Sequence, residues 1–561
     1  MIKKIYLKYQ FKKHLPLLGA LLLLSTVLYE VSFYIFKTYR AFFNSDAAIA
    51  NILAEEMVLS GSFFPSHWWY VNNDLWIFYK QLLVIPWVFA GKNGYFAHAF
   101  TVFEVSIFMI VFIYLFLRSL MLSRASAIMG GVVVCIGYSP MYLRELFGEA
   151  AYTWYFLFMI AFMFIFRKLS PHVISKSTQI KAFIFFMMLL YLLVLANPVR
   201  FFVYYVAPFF GALAISIYFA RDSLKTFQHA VYRLLSIKKM VIFAFAFLVM
   251  GLAAMAHFNL LESLHLAGGA NNANLVSLEI LPTHAAHALL GLLNFIGAEW
   301  NEGVRASSIE GAVSLLKFAL YPLVLIIPAL HVKKSFYQMS SSERFFVLFS
   351  YVGFAIIYIL YSTTGLHEHA WAARMNIRYI SPFIMMILVC NVIMWRFFTP
   401  LAKVILALCL TMAMGLSWNY VSPKEWRGIV DERIALVEEL KSRGLHFGFA
   451  EYWDSHIYTV FSDGEVDIRP IEIDEKGVSL IKWLSSDRWY QKDSTDGRVF
   501  FLVEHEDIPD LEVGIKNLNM PDPIEQFEFG KYTIVVFEKN PLYVKKSKAE
   551  ARKKKRIMTA P

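Results

Sequence analysis

Cysteine and charge are what this chain of 561 residues lacks. It has 3 cysteines, and only 17% of its residues are Asp, Glu, Lys or Arg, against 58% hydrophobic. So few charges cannot cover the surface of a soluble globule of this length, which excludes an ordinary soluble enzyme and a disordered chain. Cys135, Cys390 and Cys409 all lie inside apolar runs, so they read as buried small hydrophobes and exclude a disulfide framework. The sequence has no Walker-type or dinucleotide-binding loop, no CxxC pair, no HExxH and no internal repeat. Cytoplasmic nucleotide chemistry thereby loses its usual landmarks.

What the chain has is long apolar runs. A bilayer core about 30 Å thick requires roughly 20 apolar residues in a helix. Eleven runs qualify: 16–36, 95–117, 125–143, 150–166, 182–199, 201–220, 240–257, 312–330, 345–361, 380–395 and 401–418. The first follows the basic stretch KKIYLKYQFKKH without a small-residue cleavage pattern, so it reads as a retained helix. With the N-terminus in the cytoplasm, the inside segments carry 20 Lys and Arg and the outside loops before residue 419 carry 9. That asymmetry sets the orientation, and an odd number of spans puts the C-terminus outside.

The net charge of +11 divides along the same lines. Residues 419–540 hold 14 basic and 25 acidic side chains, whereas residues 541–561 hold 8 basic and 1 acidic. The positive total therefore reflects topology and a basic tail rather than a nucleic-acid surface, and no nucleic-acid partner is expected. Membrane lipids are the partner implied for the tail. HFGFA, EVDIRPIEI, RVFFLVEH and YTIVVFEK read as strands, while DERIALVEELKS and VSLIKWLSSDRWY have helical spacing. The expected architecture is a polytopic α-helical membrane domain, 1–418, with surface helices in an outer loop at 38–94. A periplasmic α/β domain, 419–540, and a basic, disordered tail, 541–561, complete it.

The outer loops hold the candidate chemistry. In FFNSDAAIANILAEE, Asp46 stands where the chain leaves the bilayer and a surface helix begins, so it is either a helix cap, as Ser45 would be, or a carboxylate facing a boundary cavity. The helix places Ile49, Ile52, Leu53 and Met57 on one face with Glu55 and Glu56 turned away, and LLVIPWVFAG, too short to span, makes a second interfacial or re-entrant piece. YLRELFGEAAYTW sets Glu145 and Glu149 four apart beside Arg144. Arg200 follows a break at ANPVRFF, where it marks a tight turn between spans at the outer surface, and Arg374 and Arg378 precede a late span, where snorkelling anchors collect. Trp68, Trp69 and Tyr70 suit sugar stacking or an aromatic belt. Glu30 and Glu104 lie within spans, where a carboxylate faces a cavity or a partner. His284 with His287, and His367, Glu368 and His369, are scattered loop residues or metal ligands.

The layout resembles the GT-C superfamily of integral membrane glycosyltransferases, which includes protein O-mannosyltransferases, the aminoarabinose transferase of lipid A and bacterial O-antigen glucosyltransferases. An acidic residue follows the first helix in a long outer loop, and NIRYISPFI is similar to the Arg-Tyr-x-x-Pro signature before a late helix. Several such families carry an Asp-Glu pair where this chain has Asp46 and Ala47. The resemblance implies a GT-C-like fold of about 11 transmembrane helices in the inner membrane. It also implies inverting transfer of a sugar from a polyprenyl-phosphate donor to a surface glycan (O-antigen or lipopolysaccharide), lipid or protein acceptor. In that frame Asp46 is the catalytic base, Arg374, Arg378 and Arg200 hold the donor phosphate, and Glu145 or Glu149 is a second carboxylate near the acceptor. Trp68, Trp69 and Tyr70 stack on sugar. The one cofactor it leaves open is a divalent cation. An O-antigen polymerase or ligase, and a lipid-linked glycan flippase or transporter, are the alternatives.

Overall fold

The structure is a computed structural model, and it describes residues 2–75, 80–169, 176–220, 237–267, 274–299, 303–366, 370–491 and 497–542. Among these, eight helices are long and apolar enough to cross a membrane, from His14–Phe42 to the one that opens at Pro400. Arg124–Cys135 and Pro140–Glu149 form a further apolar pair, bent by 108°. Thr153–Lys168 and Ser381–Met394 are shorter, so all eleven apolar runs fall on helices of unequal length. The chain is a multi-pass helical membrane protein. In the first span Glu30 accepts a hydrogen bond from Ser417 Oγ at 2.7 Å, the neighbouring-helix partner that a carboxylate at that depth requires. Glu104 is half-buried on Tyr95–Ser119.

The last span, Pro400–Val421, continues into Trp426–Ser442, which carries the C-terminal domain. Arg433 on that stalk donates to the carbonyls of Arg40 and Phe43 at 2.8 and 3.0 Å, satisfying groups left open where the first helix ends. The domain is built on strands β1 (Phe447–Glu451), β2 (Asp467–Asp474), β3 (Gly477–Leu480), β4 (Val499–Glu504), β5 (Glu525–Phe529) and β6 (Tyr532–Phe537). Their order is β3-β2-β1-β4-β6-β5, with β2, β1 and β4 parallel and the outer pairings antiparallel. Buried runs such as Val499–Val503 and Ile534–Phe537 explain the near-continuous apolar reading of the central strands. Helix Tyr452–Phe461 leaves the end of β1 and crosses over to β2.

The surface helix Ser45–Ser60 departs from expectation. It is covered on nearly every side, and Glu56, expected to face water, is buried. The C-terminal domain is the reason: Trp489 Nε1 donates to Glu56 Oε1 at 2.9 Å and Ser486 Oγ to Oε2 at 3.2 Å. The helix is thus clamped between the membrane domain and the sheet domain. The expected second short piece is the helix Gln81–Phe89.

The aromatic cluster of the first outer loop belongs to the same clamp. Trp68 packs edge-on to Trp489 at 5.8 Å and is fully buried, as is Tyr70. Trp69 donates from Nε1 to Asp487 at 2.6 Å, and its backbone pairs with Ser485 and Leu484. Packing against protein covers the rings of Trp68 and Tyr70, which leaves no ring face free for a sugar, whereas Trp69 is half-buried at the seam with the C-terminal domain.

Candidate functional site

Asn44 caps the surface helix, its side-chain oxygen accepting from Ala47 N at 2.9 Å. With the cap supplied by Asn44, one residue before Ser45 and two before Asp46, the Asp46 carboxylate is released to other partners. Its Oδ1 accepts a hydrogen bond from Tyr452 Oη at 2.7 Å, and its Oδ2 lies 3.6 Å from Arg378 Nη1.

Arg378 joins Asp46 to a second carboxylate. The same Nη1 is 3.2 Å from Glu149 Oε2, while Glu149 Oε1 accepts from Arg144 Nη2 at 2.8 Å and from Asn44 Nδ2 at 2.8 Å. Among the described residues, the buried Arg378 Nε has no hydrogen-bond partner. Glu145 and Glu149 sit on a π-helical turn, Arg144–Glu149, rather than the regular helix their spacing implies. The wider turn separates their surroundings: Glu149 is saturated with donors, and Glu145 is buried with neither oxygen hydrogen-bonded. Such single π turns recur at functional sites. Gly148 is required here, because a Cβ at that position would lie 2.2 Å from the Tyr39 ring.

Two residues of the site escaped the sequence reading. Lys80, in the first outer loop, is buried, and burial pulls its ammonium down to about 8 against the opposing pull of Glu149, Asp46 and Glu145. Tyr452 comes from the C-terminal domain, and burial together with Asp46 pushes its phenol well above the usual range. A carboxylate cluster beside two arginines hints at a further buried cation, but nothing in local spacing marks a tyrosine 406 positions away as its partner.

Beyond Arg378 runs a row of tyrosines. Tyr379 meets Tyr152 edge-on at 5.3 Å, Tyr152 stacks on Tyr155 at 5.6 Å, and Tyr155 on Tyr204 at 5.0 Å. Arg200 stands at the far end, 3.4 Å from Tyr155 Oη, and pairs with Asp74 at 2.9 Å. A small aromatic cleft opens beside it, lined by Trp154, Tyr155, Phe158, Leu193, Asn197 and Phe201 among others. Arg200 is therefore held by a carboxylate of its own, and Arg378 is the cation placed against Asp46. Arg374 lies in the helix Ala370–Asn376, and its side chain falls outside the described residues, as do His367, Glu368 and His369.

Among the described residues no three His, Cys, Asp or Glu side chains are placed to share a metal ion, and His284 and His287 are not joined by a third ligand. Asp46 and Glu149 already face Arg378, and Glu149 faces Arg144 as well. Carboxylates neutralised in this way are a poor donor set for a divalent ion.

The fold is similar to that of ArnT from Cupriavidus metallidurans in its apo state, with a TM-score of 0.53 and 10% identity over 92% of this chain and 98% of that one. Lower TM-scores relate it to the oligosaccharyltransferase of Archaeoglobus fulgidus. The form tethered to an acceptor peptide gives 0.41 at 11% identity, over 95% of this chain and 76% of that one. The complex with an inhibitory peptide and dolichol-phosphate gives 0.39 at 12% identity, over 88% and 70%. No family model matches the sequence, and no curated protein is similar to it. The likeness to ArnT is one of fold, and it spans both the helical membrane domain and the C-terminal sheet domain of this chain.

Proposed function

We propose that this protein is a membrane glycosyltransferase that moves one sugar from a polyprenyl-phosphate donor to a hydroxyl of a surface glycan, lipid or protein acceptor, with inversion at the anomeric carbon. The observation that carries the reading is the meeting of Asp46 and Arg378 at 3.6 Å within a GT-C fold. A single displacement needs a base for the incoming hydroxyl and a cation for the outgoing phosphate, close enough to serve one bond exchange. Asp46 takes the acceptor proton as the acceptor oxygen attacks the anomeric carbon, and the bond from that carbon to the phosphate oxygen breaks. Arg378, whose side chain is 24% exposed beside Asp46, receives the phosphate as its charge grows. Glu149 fixes Arg378 from behind, and the tyrosine row and aromatic cleft supply an apolar margin along which a prenyl chain can lie. The excess of Lys and Arg in the inside loops supports an inner-membrane protein with the site and the C-terminal domain in the periplasm.

The test is mass spectrometry of cell-surface glycans, lipid A and glycoproteins from cells with and without the gene. A loss of one sugar residue from one of these pools is expected. No mass difference in any of them would overturn the reading.

Lys80 adds a pH dependence. Its ammonium titrates at about 8, so it is charged below that pH and neutral above it. If the donor phosphate draws on that charge, the donor KM rises as pH climbs beyond about 8, and Lys80→Met raises KM at neutral pH and flattens the profile. Donor KM measured across this range, in wild type and variant, checks the sign; a KM falling with pH would contradict it.

A further inference from the structure

A carboxylate able to take a proton from an acceptor hydroxyl can take one from water equally well. Water is smaller and far more abundant, so a lipid-linked donor in this site is exposed to hydrolysis unless something occupies the base. The Asp46 side chain is 27% exposed, and its two oxygens face Tyr452 and Arg378. The Tyr452 hydroxyl stands 2.7 Å from Oδ1, the place a water would take.

On the glycosyl-transfer reading above, we infer that Tyr452 is a positioning residue that keeps water off Asp46 until an acceptor arrives, so that the C-terminal domain protects the donor from hydrolysis. Three observations support this. First, Tyr452 is firmly placed. It opens the helix Tyr452–Phe461, its ring meets Trp453 and His456 edge-on at 5.1 and 6.0 Å, and its carbonyl accepts from Ser455 Oγ at 3.0 Å. Second, that helix belongs to the domain that Glu56, Ser486 and Trp489 clamp onto the Asp46 helix, so the hydroxyl stays at the base unless another group binds there in its place. Third, the phenol is a poor substitute acceptor, because burial and the neighbouring Asp46 keep it protonated.

Without Tyr452 the side reaction is simple displacement. A water oxygen bonds to the anomeric carbon, the bond to the phosphate oxygen breaks, the water proton passes to Asp46, and free sugar and polyprenyl phosphate are released. With Tyr452 present, only an acceptor that brings its own binding energy to the site displaces the hydroxyl and reaches the base.

The experiment uses purified full-length protein and a panel of short polyprenyl-phosphate hexoses and pentoses with labelled sugar. Free-sugar release is measured without acceptor, and transfer with acceptor membranes. Tyr452→Phe is expected to raise acceptor-independent release by about tenfold or more and to shift the ratio of hydrolysis to transfer by a similar factor. Asp46→Asn combined with Tyr452→Phe returns release to the level of Asp46→Asn alone, which a merely structural role for Tyr452 would not produce. Tyr452→Met serves if the Phe variant fails to fold. Release no faster than wild type, in a variant that still transfers sugar, would overturn the inference. A wild-type protein that uses no donor in the panel, even with acceptor membranes, would instead overturn the glycosyl-transfer reading beneath it.

Discussion

Replacing Asp46 with Asn is expected to lower sugar transfer by roughly 10³-fold or more while leaving expression and membrane insertion intact, the scale set by removing a general base from a positioned site. The amide matches the carboxylate in shape, and its oxygen can still accept from Tyr452 Oη, so the contact with the C-terminal domain survives. The helix is not put at risk either, because Asn44 and not Asp46 supplies its cap. The variant therefore removes proton acceptance and little else. Transfer rates on membranes normalised for protein content measure it, and a variant retaining wild-type transfer would remove Asp46 from the mechanism.

The second large effect is expected at Arg378. One guanidinium nitrogen stands 3.6 Å from Asp46 and 3.2 Å from Glu149, so Arg378→Ala leaves two carboxylates facing each other without their shared cation. Glu149 is buried and keeps Arg144 and Asn44, whereas Asp46 keeps the hydrogen bond from Tyr452. Removing one donor aimed at developing charge costs about 10²–10³ in rate, so kcat/KM is expected to fall by about that factor, with donor KM raised because the phosphate loses its receiver. Arg378→Lys is expected to recover only a minor part. A single ammonium cannot reproduce a guanidinium that meets both carboxylates and still offers a buried Nε–H. A control at Arg200, which pairs with Asp74 beside the aromatic cleft, is expected to cost less at the chemical step. Donor KM and kcat for the three variants separate these outcomes, and an Arg378→Ala enzyme with unchanged donor KM would contradict the phosphate role.

The architecture was legible because bilayer thickness and the side preference of Lys and Arg impose themselves on composition. Asp46 and Arg378 were legible because each stands where the chain enters or leaves an apolar helix. The rest required the third dimension. Glu145 and Glu149 read as an equivalent pair on a regular helix, yet a π turn gives one of them every donor and leaves the other none. Glu56 read as a water-facing residue because amphipathic spacing cannot know that a domain more than 400 residues later supplies Trp489 and Ser486. The rings of Trp68 and Tyr70 likewise carried the right composition for sugar binding but are buried, Trp68 against Trp489 of that same domain and Tyr70 among the outer loops, where its hydroxyl donates to Pro65 O. Lys80 and Tyr452 have no local motif at all. Their meaning comes from long-range placement beside charges that only folding assembles.

The central claim is that a glycosyl–phosphate bond breaks at Asp46 and Arg378. Its most direct test is to reconstitute the purified protein with a labelled polyprenyl-phosphate sugar and acceptor membranes, then quantify polyprenyl phosphate against sugar bound to acceptor. The account predicts one polyprenyl phosphate released per sugar transferred, inverted anomeric configuration in the product, and neither product from Asp46→Asn. Donor that crosses the bilayer with its glycosyl–phosphate bond intact, at equal rates in wild type and Asp46→Asn, would contradict it.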